Sequence, residues 1–103
     1  MREAAVRSPD ALDLSRPRRV HLTNVGGAGM SAVATLLAEG ADGVVVTQGT
    51  DTLEESAYLL DLWHDRPEPV VVTGAMRSPQ LAGADGPANL LAALTVAADP
   101  AVR

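Results

Sequence analysis

The sequence predicts an α/β domain of three layers: a three-stranded parallel sheet with β-α-β-α-β-α order, one half of a Rossmann-like doubly wound fold. Three observations predict it. GVVVT (43–47) and VVVT (70–73) are β-branched runs without polar interruption, as in strands buried on both faces. Each strand-like run is followed by a segment with helical spacing of apolar residues. A helix over 53–63 rises about 17 Å and a strand over 43–47 spans about 17 Å, so the elements match in length, as right-handed parallel crossovers require.

Along the chain, RRVHLTN (18–24) alternates Val20 and Leu22 and ends at a glycine cluster. SAVATLLAE (31–39) sets Ala32, Val33, Leu36 and Leu37 on one stripe and stops at Gly40. After the strand 43–47, Thr52 with Glu55 three residues on matches a capping box. The helix from Leu53 to Trp63 places Leu53, Ala57, Leu60 and Trp63 on its inward side. Pro67 and Pro69 break the chain before VVVT, and residues 74–83 read as a loop. Asp85 can cap a last helix with Pro87 in its first turn, an apolar face of Leu90, Leu91, Leu94, Ala97 and Ala98, and a stop at Pro100.

Composition narrows the function. The chain has 103 residues, 47% hydrophobic but only 2% aromatic, so a small core must be built from Ala, Val and Leu. Cysteine is absent, which excludes disulfides and thiolate metal sites. His21 and His64 are too few for zinc without carboxylate help, so neither metal nor cofactor is expected. A net charge of −5 without a basic face argues against a nucleic-acid partner. No apolar run approaches the ~20 residues of a membrane span. All eight basic residues are arginine, and five of them precede position 20. Residues 1–17 therefore read as a solvated, irregular leader before a single domain at 18–103. The leader lacks the apolar centre of a signal peptide, and a soluble cytoplasmic chain is expected.

In a parallel sheet the ligand site lies at the carboxyl ends of the strands, and three loops fall there: NVGGAG, TQGTDT and TGAMRS. In the first, Gly26, Gly27 and Gly29 would let backbone N–H groups approach a phosphate at a helix start, with Ser31 adding a hydroxyl. A tight strand-to-helix turn with no ligand fits these residues equally well. In the second, Thr47, Thr50, Asp51 and Thr52 crowd one strand end. A hydroxyl beside a carboxylate can relay a proton, and a carboxylate at the mouth can pair with a substrate ammonium. The same residues also suit helix capping.

Two stretches resemble known families. RRVHLTNVGGAGMSAVATLLAEG (18–40) resembles the opening strand, G-x-G-G-x-G-M-S loop and helix of UDP-N-acetylmuramate–L-alanine ligases, with Asn24 at the first glycine position. That resemblance implies a nucleotide-sugar or phosphate site at Gly26, Gly27, Gly29 and Ser31. The segments GTDTLEESA, GAMR and ADGPAN, in that order within residues 41–103, resemble the N-terminal domain of bacterial-type L-asparaginases. These amidohydrolases convert asparagine to aspartate and ammonia through a threonine nucleophile and an acyl-enzyme.

The second resemblance implies that Thr50 is the second catalytic threonine and that Asp51 binds the substrate α-amino group. It places the Ala75 backbone carbonyl against the substrate amide, and Gln48 where the family has His or Gln. The departures are the missing T-G-G-T nucleophile segment, the lack of any lysine, and Gly27 and Ala28 where the family has a substrate-binding Ser-Gln pair. The expectation is an asparaginase-family domain for a small-molecule substrate, inactive alone, with a junction between the two resemblances near Gly40–Gly43. The alternatives are a nucleotide-sugar module, or an inactive α/β unit whose apolar edge strands drive self-association.

Overall fold

The computed structural model describes residues 18–24 and 29–102; the expected leader, Gly26 and Gly27 lie outside the described residues. Its elements are β1 (Val20–Asn24), α1 (Gly29–Ala38), β2 (Gly43–Thr47), α2 (Leu53–Trp63), β3 (Val70–Thr73) and α3 (Gly86–Ala98). The strands form one parallel sheet in the order β1-β2-β3. His21, Leu22 and Thr23 lie opposite Val44, Val45 and Val46, and these lie opposite Val70, Val71 and Val72.

β2 is central, and Val44, Val45 and Val46 are completely buried. Val44 and Val46 face one way and pack with Val33 and Leu37 of α1 and Leu60 of α2. Val45 faces the other way and packs with Ala93 and Ala97 of α3. The expected three layers follow: α1 and α2 cover one face, α3 the other.

The sequence-based strand limits of β2 and β3 agree with the structure, and α1 begins earlier, at Gly29. Details of packing differ. β3 is half-buried throughout, not fully covered, because it is an edge of the sheet and its outer side pairs with no strand among the described residues. Trp63 is exposed, and the inward place beside Leu60 goes to His64, about 100° further round the helix axis. The His64 ring is held there by its Nε2 against the Glu68 carbonyl at 2.6 Å. On α3, Leu91 is 67% exposed, whereas Ala93 is buried. The inward stripe is Leu90, Ala93, Leu94 and Ala97, spaced i, i+3, i+4, i+7.

Small residues on that stripe let α3 sit close to the sheet. A Cβ added at Gly43 would lie 2.5 Å from the Ala97 carbonyl oxygen. At the same end of the sheet, β1 is tied to β2 through Asp42. Its carboxylate accepts from the Arg19 backbone N–H at 2.8 Å, and its own N–H donates to the Arg19 carbonyl at 2.8 Å. No helix among the described residues is long and apolar enough to cross a membrane.

Gly43→Ala is expected to destabilise the domain by about 1–3 kcal/mol, because backbone cannot yield as a side chain does. A lower urea midpoint with an unchanged slope would show it; an unchanged midpoint would mean that α3 moves away without cost.

Candidate functional site at the carboxyl edge of the sheet

The three strands end at Asn24, Thr47 and Thr73, side by side at one edge. The Thr47 hydroxyl reaches back to the Thr23 carbonyl of β1 at 3.5 Å. An open cleft of about 370 Å³ lies at this edge, lined by Asn24, Thr47, Gln48, Thr73, Gly74, Ala75, Gly86 and Leu90. The loops after β2 and β3 therefore share one rim, as parallel topology requires.

Their contact is intimate. The Gln48 backbone N–H donates to the Thr73 carbonyl at 3.0 Å. At Gly74, an added Cβ would meet the Gln48 carbonyl at 2.5 Å, Leu53 at 3.0 Å and the Thr50 methyl at 3.4 Å. Only glycine lets the GAMR loop approach the TQGTDT loop this closely.

The sequence-predicted residues divide into groups. Gln48 and Ala75 line the cleft. Thr50 and Asp51 are exposed in the turn that leads into α2, beside the cleft lining but not part of it. Gly29 is the first residue of α1, and Ser31 is exposed in that helix's first turn.

The Gln48 amide donates from Nε2 to the Thr52 hydroxyl at 2.7 Å, whereas its buried Oε1 has no partner among the described residues. The Gln48 contact also corrects the capping expectation. Thr52 stands at the N-cap of α2 but makes no side-chain cap bond, because its hydroxyl is used by Gln48.

Asp85 corrects a second one. It precedes α3 at the N-cap position yet makes no cap bond with its own helix. Its carboxylate instead accepts the backbone N–H groups of Met76 at 2.9 Å and Arg77 at 2.9 Å. Asn89, one turn on, donates from Nδ2 to the Gly74 carbonyl at 2.9 Å and to Asp85 Oδ2 at 3.1 Å. The ADGPAN segment thus holds the GAMR loop, a role the sequence signalled only as an Asp and an Asn four residues apart. The Met76 and Arg77 N–H bonds hold the Asp85 carboxyl below the usual aspartate range.

Comparison with known proteins decides the family. The model of the asparaginase N-terminal domain matches residues 28–103, taking in every element from α1 to α3 and both cleft loops. The chain belongs to the asparaginase family. The match already begins at residue 28, so it runs across the junction expected at Gly40–Gly43.

Relatives of this asparaginase domain include Probable L-asparaginase 1 of Schizosaccharomyces pombe, 44% identical over 87% of this chain and 28% of its own length. L-asparaginase 2 of Escherichia coli is 39% identical over 90% of this chain and 29% of its own length. The Glutaminase-asparaginase of Pseudomonas aeruginosa is 50% identical over 60% of this chain and 17% of its own length. The chain thus spans well under a third of the relatives it matches. The ligase resemblance of residues 18–40 gains no support from these relatives.

Because the folded-state Asp85 carboxyl is depressed, its bonds stabilise the domain above the unfolded-state value and are lost as pH falls through the folded one. The difference in Tm between wild type and Asp85→Asn is expected to be full at neutral pH and to close below about pH 4. Thermal melts across that range test it, and a pH-independent difference would contradict it.

Proposed function

We propose that this domain supplies the amino-acid-binding rim of an asparaginase that hydrolyses the side-chain amide of L-asparagine to aspartate and ammonia. The observation that carries the reading is the apposition of TQGTDT and TGAMR on neighbouring strand ends, around a cleft lined by Gln48 and Ala75. In this reading Asp51 pairs with the substrate α-ammonium. The Thr50 hydroxyl polarises the nucleophile or the attacking water. The Ala75 carbonyl accepts from the substrate amide, and Gln48 completes the polar rim.

Hydrolysis needs a group that forms the acyl-enzyme and a proton relay to the leaving ammonia. The 103 residues hold no lysine and no T-G-G-T segment. The chain by itself is therefore proposed to bind but not to turn over. The name of the Pseudomonas relative makes glutamine the natural second ligand to compare.

Self-association belongs to the same proposal. Tyr58, Leu59, Leu62 and Trp63 are exposed along one arc of α2 that runs from the side opposite Leu60 round to its flank. Antiparallel pairing of two such helices would set Tyr58 against Trp63 and Leu59 against Leu62. The proposal also places the chain in the cytoplasm, in contrast to a relative from Haemophilus influenzae named as a probable periplasmic L-asparaginase. Fractionation of the producing cell distinguishes the two.

L-asparagine at a hundredfold excess over its Kd is expected to stabilise the chain by about 2.7 kcal/mol, and Asp51→Ala to abolish the effect, without ammonia release by either. A melt that ignores asparagine, aspartate and glutamine but responds to a UDP-sugar would overturn the reading. Size-exclusion chromatography with light scattering is expected to show a dimer that Leu62→Glu returns to monomer.

A further inference from the structure

We infer that Asp85 and Asn89 are positioning residues that set the direction of the Ala75 carbonyl and thereby the preference for a side-chain amide over a carboxylate. The inference rests on the asparagine-binding role proposed for Ala75. Its structural half stands on the hydrogen bonds alone.

Ala75 is held from both sides. On one side, the Gly74 carbonyl accepts from Asn89 Nδ2 at 2.9 Å. On the other, the Met76 N–H donates to Asp85 Oδ2 at 2.9 Å, and the Arg77 N–H donates to Asp85 Oδ1 at 2.9 Å. The described chain contains no cis peptide. In a trans peptide the C=O and N–H point in opposite directions. With the Met76 N–H directed at Asp85, the Ala75 C=O of the same peptide is directed away from Asp85. Asn89 bonds Asp85 as well as Gly74, so the two holds form one unit.

The consequence for a ligand is chemical. A carbonyl oxygen accepts hydrogen bonds and donates none. It favours the NH₂ of asparagine and opposes the carboxylate of aspartate, two ligands of nearly equal size. Loosening the hold would blunt that discrimination. A general weakening of the fold would lower both affinities together.

Isothermal titration of the chain with L-asparagine and L-aspartate reads the difference. Asp85→Asn is expected to weaken asparagine binding by about tenfold while leaving aspartate binding within about twofold, and Asn89→Ala to act in the same direction. Equal losses for both ligands, or an unchanged ratio, would overturn the inference. Should Asp85→Asn fail to fold, Asn89→Ala carries the comparison.

If wild type binds neither ligand, the proposed function fails and the preference claimed here falls with it. The structural half is then read by NMR. The Met76 and Arg77 amide protons and the Ala75 carbonyl carbon are expected to shift together as Asp85 titrates. Signals that stay still would overturn that half independently of any ligand.

Discussion

The complete burial of Val44, Val45 and Val46 governs this domain. Alternate side chains of a strand point to opposite faces, so a strand buried at three consecutive positions needs cover above and below. α1 and α2 supply it on the side of Val44 and Val46, and α3 supplies it on the side of Val45. With aromatics at only 2% of the chain, that cover is made of small aliphatic side chains packed close. Gly43 against Ala97 is the tightest consequence.

Central burial of β2 also decides where chemistry can occur. Parallel neighbours on both sides bring the ends of β1, β2 and β3 to one edge, and the loops after β2 and β3 meet there. The TQGTDT and TGAMR loops touch through Gly74, and their contact leaves an open cleft instead of filling it. The polar groups at this edge are unevenly satisfied. The Asp85 carboxylate accepts two backbone N–H groups and the Asn89 amide, whereas Gln48 Oε1 has no partner among the described residues. A loop held by Asp85 and Asn89 beside an open cleft is an arrangement in which the fold fixes backbone dipoles and leaves room for a ligand.

Much of this was legible beforehand. The order of elements followed from periodicity, and GTDTLEESA, GAMR and ADGPAN carried the family, which the comparisons show. The errors concern side chains with a choice of partner. Thr52 and Asp85 both occupy N-cap positions, yet neither side chain caps a backbone N–H of its own helix: the Thr52 hydroxyl bonds Gln48, and the Asp85 carboxylate takes the Met76 and Arg77 N–H groups. Trp63 and Leu91 sit at the margins of apolar stripes, where a small rotation of the helix exposes them. Local sequence lists the bonds a residue can make; it does not rank them against partners that arrive from other segments.

The sequence by itself therefore determined the α/β order, the valine strand, the family and the identity of Thr50, Asp51, Gln48 and Ala75 as candidate site residues. These depend on nearest neighbours along the chain and on motifs read in order. Only the tertiary structure decided that Gln48 and Ala75 line one cleft, that Thr50 and Asp51 stand beside it, and that Asp85 and Asn89 hold the loop between β3 and α3. Those outcomes depend on the approach of backbones at Gly74 and Gly43, which a sequence marks with a glycine but cannot measure.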